Sequence, residues 1–132
     1  MKRLALFATL AFAAQPAEAL PRGQGAVPTR VGRCVRTTIT NVTQRLEDGV
    51  THRVIADSGS AVEFANGLYQ VSYDQVGAVN RSRRGDPVNI CLRSLPTHCP
   101  PGDVRGKVYR TTNLRTRQSW TLPDSEHGCG GA

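Results

Sequence analysis

Aromatic rings are scarce in this chain: one Trp, three Tyr and three Phe among 132 residues. A surface that binds single-stranded nucleic acid by stacking needs several exposed rings along a groove. That class of function is therefore not expected. Acidic residues are also few, 10 Asp+Glu against 17 Lys+Arg. Apolar residues never recur at helical spacing over ten or more positions. Beyond the first 14 residues no apolar run approaches membrane-spanning length, so no transmembrane segment is expected.

The one sustained apolar run lies at the start. Met1-Lys2-Arg3 is a short basic segment, Leu4 to Ala14 is apolar, and Ala17-Glu18-Ala19 supplies small residues at the positions a signal peptidase reads. Residues 1–19 are expected to be a signal peptide, and the mature protein to lie in the periplasm or outside the cell. Residues 20–30 (LPRGQGAVPTR) have no periodicity and read as a flexible N-terminal tail. Residues 31–132 then form a single small domain. Cleavage after Ala19 leaves 15 basic and 9 acidic residues, and Lys107 is the only lysine among the former.

What is plentiful is β-branched. From Val31 onward there are 12 Val, 3 Ile and 10 Thr against 6 Leu, which points to a mainly β domain. The Asn66-Gly67 pair predicts a two-residue type I′ turn inside a hairpin from Ser60 to Tyr73. That register pairs Phe64 with Tyr69, Val62 with Val71 and Ser60 with Tyr73. It would put Val62, Phe64, Tyr69, Val71 and Tyr73 on one face. Further strands are expected over 33–42, with Val35, Thr37 and Ile39 on one side, and over 88–95, with Val88, Ile90 and Leu92 alternating. A second hairpin over 107–122 would turn through residues 113–116 and set Tyr109 opposite Trp120. The segment 74–83 has room for one helical turn.

Five or six short strands around one core suggest an all-β (mainly β) fold, a small closed or partly open barrel, because closure removes exposed sheet edges. By analogy it is OB-like, resembling the oligonucleotide/oligosaccharide-binding type of barrel; a small sandwich is the alternative. Two disulfides should hold it together. Four cysteines (Cys34, Cys91, Cys99 and Cys129) allow three pairings. Cys34 and Cys91 share the outward side of strands that are neighbours in an OB-like barrel, and Cys99 and Cys129 both lie in Pro/Gly-rich loops. This reading favours Cys34–Cys91 with Cys99–Cys129.

Chemistry-bearing motifs are weak. His98-Cys99 and His127-Gly128-Cys129 lack zinc-ligand spacing, and an oxidising compartment favours disulfides over thiolate ligands. No metal or cofactor is expected. Asp124, Ser125 and His127 have the residue types of a hydrolytic triad, but near-adjacent residues do not normally converge on one hydroxyl. Arg84-Gly85-Asp86 spells an adhesion tripeptide, yet its Gly and Asp are explained by a turn before Val88. The feature that stands above background is basic: Arg81, Arg83 and Arg84, with Arg115 and Arg117 in the second hairpin loop. Guanidinium forks suit carboxylate and phosphate groups. The expected function is a non-catalytic exported domain that binds an anionic envelope component or an acidic protein through these loops. The alternative is an inhibitor or accessory factor of a secreted enzyme, acting through a loop such as Pro100–Arg105. A small hydrolase is the least favoured reading.

Overall fold

The computed structural model describes residues 24–131, together with Ala14. The expected signal peptide and the first residues of the expected tail lie outside that range. Six strands and one helical turn follow in order: β1 (Cys34–Gln44), β2 (Ser60–Phe64), β3 (Tyr69–Ser72), α1 (Gly77–Asn80), β4 (Pro87–Ser94), β5 (Val108–Asn113) and β6 (Ser119–Pro123). All pairings are antiparallel, and the sheet order is β3-β2-β1-β4-β5-β6. The result is a curled, six-stranded half-barrel, not a sandwich of two facing sheets.

β1 makes the curl possible. Its first half pairs with β4 (Val35↔Ile90, Thr37↔Val88) and its second half with β2 (Val42↔Val62). The register shifts between Ile39 and Asn41, and such a bulge bends a strand and increases its twist. β1 therefore lies between β2 and β4, the neighbour relation the OB-like reading required of the first and fourth strands.

Alternation along the strands sorts the core. Val88, Ile90 and Leu92 of β4 are fully buried, as are Ile39, Val62, Val79 and Tyr109. Thr37 is buried beside Ile39, and Val35 packs against the cluster, so the expected inward face of β1 is the one that forms. Val79 is the buried residue of α1, which explains the single helical turn between β3 and β4.

Both hairpins form, but in registers other than those expected. In β2–β3, Glu63 faces Tyr69, Val62 faces Gln70 and Ser60 faces Ser72. Gly67 has φ 87° while Asn66 does not have positive φ. The amide of Gly67 donates to Phe64 O and that of Phe64 to Leu68 O. These bonds define a three-residue loop, a type I turn closed by a left-handed glycine, which Asn-Gly serves as well as it serves type I′. The Asn66 side chain fixes it by accepting from the Leu68 amide and donating to Gly25 O. The one-residue slip moves the side chains to opposite faces: Gln70 is buried and Tyr73 is exposed.

The second hairpin slips by two, so its faces are kept: Tyr109 faces Leu122 and Thr111 faces Trp120. Asn113 belongs to the strand instead of the loop. Its amide donates to Gln118 O, its carbonyl accepts from Arg117 N, and its side-chain oxygen accepts from the amides of Arg115 and Thr116.

The edge strands β3 and β6 approach each other without a ladder between them. Gln70 spans the seam. Its Nε2 donates to Tyr109 O (2.9 Å) and Leu122 O (3.0 Å), and its Oε1 accepts from Thr111 Oγ1 (2.6 Å) and Trp120 Nε1 (2.9 Å). Two donors and two lone pairs exhaust what a carboxamide offers.

Residues 24–28, read from sequence as part of a tail, lie along the first half of β1. Gly25 N donates to Arg36 O, the Gln24 side chain bonds the Thr37 hydroxyl and the Thr38 amide, and Pro28 is buried.

The disulfides are Cys34–Cys91 and Cys99–Cys129. The first joins residues directly opposite each other on β1 and β4. The second ties the C-terminal segment to the loop after β4. Two such links fit an oxidising, exported environment. No helix among the described residues is long and apolar enough to cross a membrane.

Candidate functional site

The loop between α1 and β4 (residues 81–86) and the β5–β6 loop (residues 114–117) meet at one end of the half-barrel. Asp86 draws them together. Its side chain is 3% exposed, and it accepts from Arg115 Nε (2.5 Å) and an Arg115 terminal nitrogen (2.8 Å), from Asn113 Nδ2 (2.8 Å) and from the Arg83 amide (3.0 Å). Asn113 Nδ2 also reaches the Ser82 hydroxyl, and the Leu114 amide donates to Pro87 O. Hydrogen bonds from Arg115 hold the Asp86 carboxyl well below the usual carboxylate range, against the opposing effect of its burial, and raise the Arg115 guanidinium in turn.

The five arginines singled out from sequence thus share a neighbourhood but not a role. Arg115 is a structural clamp that also donates to Arg81 O. Arg81 Nε is engaged by Gln118 Oε1 at 2.8 Å. Arg83 is exposed and sits at 3.8 Å from Asp86, a loose contact. Arg84 and Arg117 are exposed, with no carboxylate within ion-pair distance among the described residues. Arg117 has φ 60°, a left-handed conformation set by the loop. Three guanidinium groups, on Arg83, Arg84 and Arg117, are left to meet solvent or a ligand.

Other motifs resolve into structural roles. The Asp of Arg84-Gly85-Asp86 is the buried clamp just described, so it cannot be offered to a receptor. Ser125 Oγ donates to His127 O at 2.8 Å, while Asp124 accepts from the amides of Gly106 and Lys107 and pairs with Lys107 Nζ at 3.2 Å. The His127 ring instead lies 6.4 Å from the Tyr73 ring. These three residues do not form a relay. Cys99 and Cys129 are bonded to each other, and no cluster of three metal-ligating side chains occurs among the described residues.

Two features were not visible from sequence. Arg45 stacks 4.2 Å over the Tyr73 ring, donates to Ser58 O and lies 3.7 Å from Glu126, fastening the C-terminal segment to the β2–β3 side. The loop 95–106 is braced by Cys99–Cys129, by a two-pronged Arg105–Asp103 pair, and by the Gly130 amide donating to Asp103. Arg105 holds the Asp103 carboxyl well below its ordinary range. A shallow apolar cleft of about 240 Å³ lies there, lined in part by Leu95, Pro96 and Val104.

Comparison with known proteins finds no family model, no curated protein and no solved structure that matches this chain.

Proposed function

We propose that the protein is a non-catalytic β-domain, acting in the periplasm or outside the cell, that binds a phosphate-bearing envelope surface through its arginine loops. The observation that carries this reading is the Asp86–Arg115 clamp, which fixes two loops at one rim and leaves Arg83, Arg84 and Arg117 exposed there. A guanidinium held on a rigid loop loses less entropy on meeting a phosphate than one on a mobile chain. The 15 basic and 9 acidic residues that remain after cleavage, a net charge of +6, draw the protein to anionic surfaces.

Co-sedimentation with phosphatidylglycerol vesicles, compared with phosphatidylcholine vesicles, tests it. Binding should be confined to the anionic lipid, fall steeply between low and high salt, and be lost in R83Q/R84Q/R117Q. Equal sedimentation of that variant and the parent protein would refute the loop site.

The braced loop 95–106 favours a second reading. Val104 is 63% exposed at a loop held by a disulfide and an ion pair, as suits insertion into the cleft of an acidic secreted enzyme. Stoichiometric inhibition of such an enzyme, abolished by Val104→Asp, would select this reading over the first.

A further inference from the structure

The strand order creates a second basic surface, built on strands instead of loops. On the outward side of the sheet, Arg36, Asn89, Thr112 and Ser119 stand in one cross-strand row. Cys34, Cys91, Arg110 and Thr121 stand in the next, and Arg93 follows Cys91 on the same side of β4. Arg36, Arg93 and Arg110 are all exposed, and none has a carboxylate partner among the described residues. Three guanidinium groups therefore ring the Cys34–Cys91 disulfide.

No Asp or Glu occurs in β4, β5, β6, or anywhere from residue 24 to residue 46. The face is acid-free by composition, not by local pairing. At its β1 edge it runs into a polar cleft of about 420 Å³ between residues 26–30 and 33–35, with Arg30 and Arg33 on its walls. Four strands at 4.7–4.9 Å spacing make the face about 14 Å across, and the bond between Cys34 and Cys91 pins its middle.

We infer that this face and its cleft bind a linear acidic polysaccharide, a site that goes beyond the loop reading and uses different residues. Charge complementarity selects a polyanion, and the rest of the surface selects its kind. No exposed ring lies in these rows to stack on nucleic-acid bases, and no apolar side chain projects from them to enter a bilayer. Between the arginines stand Asn89, Thr112, Ser119 and Thr121, donors and acceptors that match sugar hydroxyls. Guanidinium groups supply forked bonds to uronate carboxylates or sulfate esters, and the hydroxyl and amide groups serve the intervening ring oxygens and hydroxyls.

The experiment is a titration of the full mature chain with polygalacturonate, with heparin and with neutral dextran, at low and high salt. Vesicle sedimentation is read in parallel, so that failure of the loop site and failure of this one are separate results. Affinity for both acidic polymers should fall at least about tenfold in R36Q/R93Q/R110Q, because each substitution deletes a forked charge-assisted contact. The single R110Q should weaken binding, while R53Q, with the same change in net charge on the arm after β1, should not. Circular dichroism on each variant guards against misfolding, and these exposed positions carry no packing. Preference between the two polymers identifies carboxylate or sulfate as the recognised group. The inference is overturned by R36Q/R93Q/R110Q binding like the parent, by R83Q/R84Q/R117Q losing as much, or by a thymidine oligonucleotide binding more tightly than either polymer.

Discussion

At the scale of single residues, the fold relies on polar side chains with every bonding position filled. Asp86 is the clearest case, a buried carboxylate whose partners come from a guanidinium, an amide side chain and a backbone N–H. Arg115→Ala would leave that charge with only its weaker partners and should lower the urea midpoint. The pH dependence has a definite sign. A carboxyl depressed in the folded state stabilises fully above its unfolded value, near ~4, and that contribution drains away as pH falls toward the folded value. Urea unfolding of the parent protein should therefore weaken as pH drops below about 4, and Arg115→Ala should show a flatter acid limb. Identical acid limbs in the two proteins would show that the clamp contributes nothing. The clamp was only half legible beforehand. Arg115 stood out as a basic loop residue, but nothing local in Arg84-Gly85-Asp86 announces that its Asp turns inward to meet a loop 29 residues on.

At the scale of elements, alternation told the truth wherever a strand was central. Val88, Ile90 and Leu92 alternate against polar residues and go to the core together, and the same holds for Thr37 and Ile39. Hairpin registers were harder, because Asn-Gly is compatible with two loops that differ by one residue. The deciding contacts are tertiary: Asn66 holds Gly25, and Gln70 reaches the far edge of the sheet. A glutamine in an alternating strand reads as solvent-facing, since burying a carboxamide is unfavourable unless all its bonds are met. Here they are met by four groups of β5 and β6, which no local pattern reveals. Gln70→Leu should therefore strand the Thr111 hydroxyl and the Trp120 indole N–H in the interior, and remove the second bond from two carbonyls that keep their ladder partners. A loss of about 2–6 kcal/mol follows from two unmet buried donors. Hydrogen exchange should locate the damage, with faster exchange at β3 and β6 and protected β1 and β4 amides. Uniform acceleration across all strands would show that the seam does not open separately.

At the scale of the whole molecule, charge and cross-links are distributed unevenly, and both follow from the order of strands. The acids fall in the β1–β2 arm, β2, the turns after β3 and the C-terminal loops, while β4, β5, β6 and residues 24–46 carry none. The loop arginines fall in two short runs, 81–84 and 115–117, and were legible as a candidate. Arg36, Arg93 and Arg110 are far apart in the chain and became a surface only when β1, β4 and β5 were set side by side. The cysteine pairing was legible because it depends on the same adjacency, argued from one shared face and two loops. Its energetic weight is large for a core of 13 buried apolar side chains among the described residues. Links closing 57 and 30 residues each restrict the unfolded chain by about 3.5–4 kcal/mol in the chain-entropy account. Together that approaches the whole stability of a typical domain, about 5–15 kcal/mol. Full reduction should thus lower the urea midpoint drastically or leave the chain unfolded at room temperature, and reoxidation should restore both the transition and polysaccharide binding. If the reduced protein instead unfolded at the same urea concentration as the oxidised one, the interior alone would suffice. An oxidising compartment would then no longer be a condition of the fold.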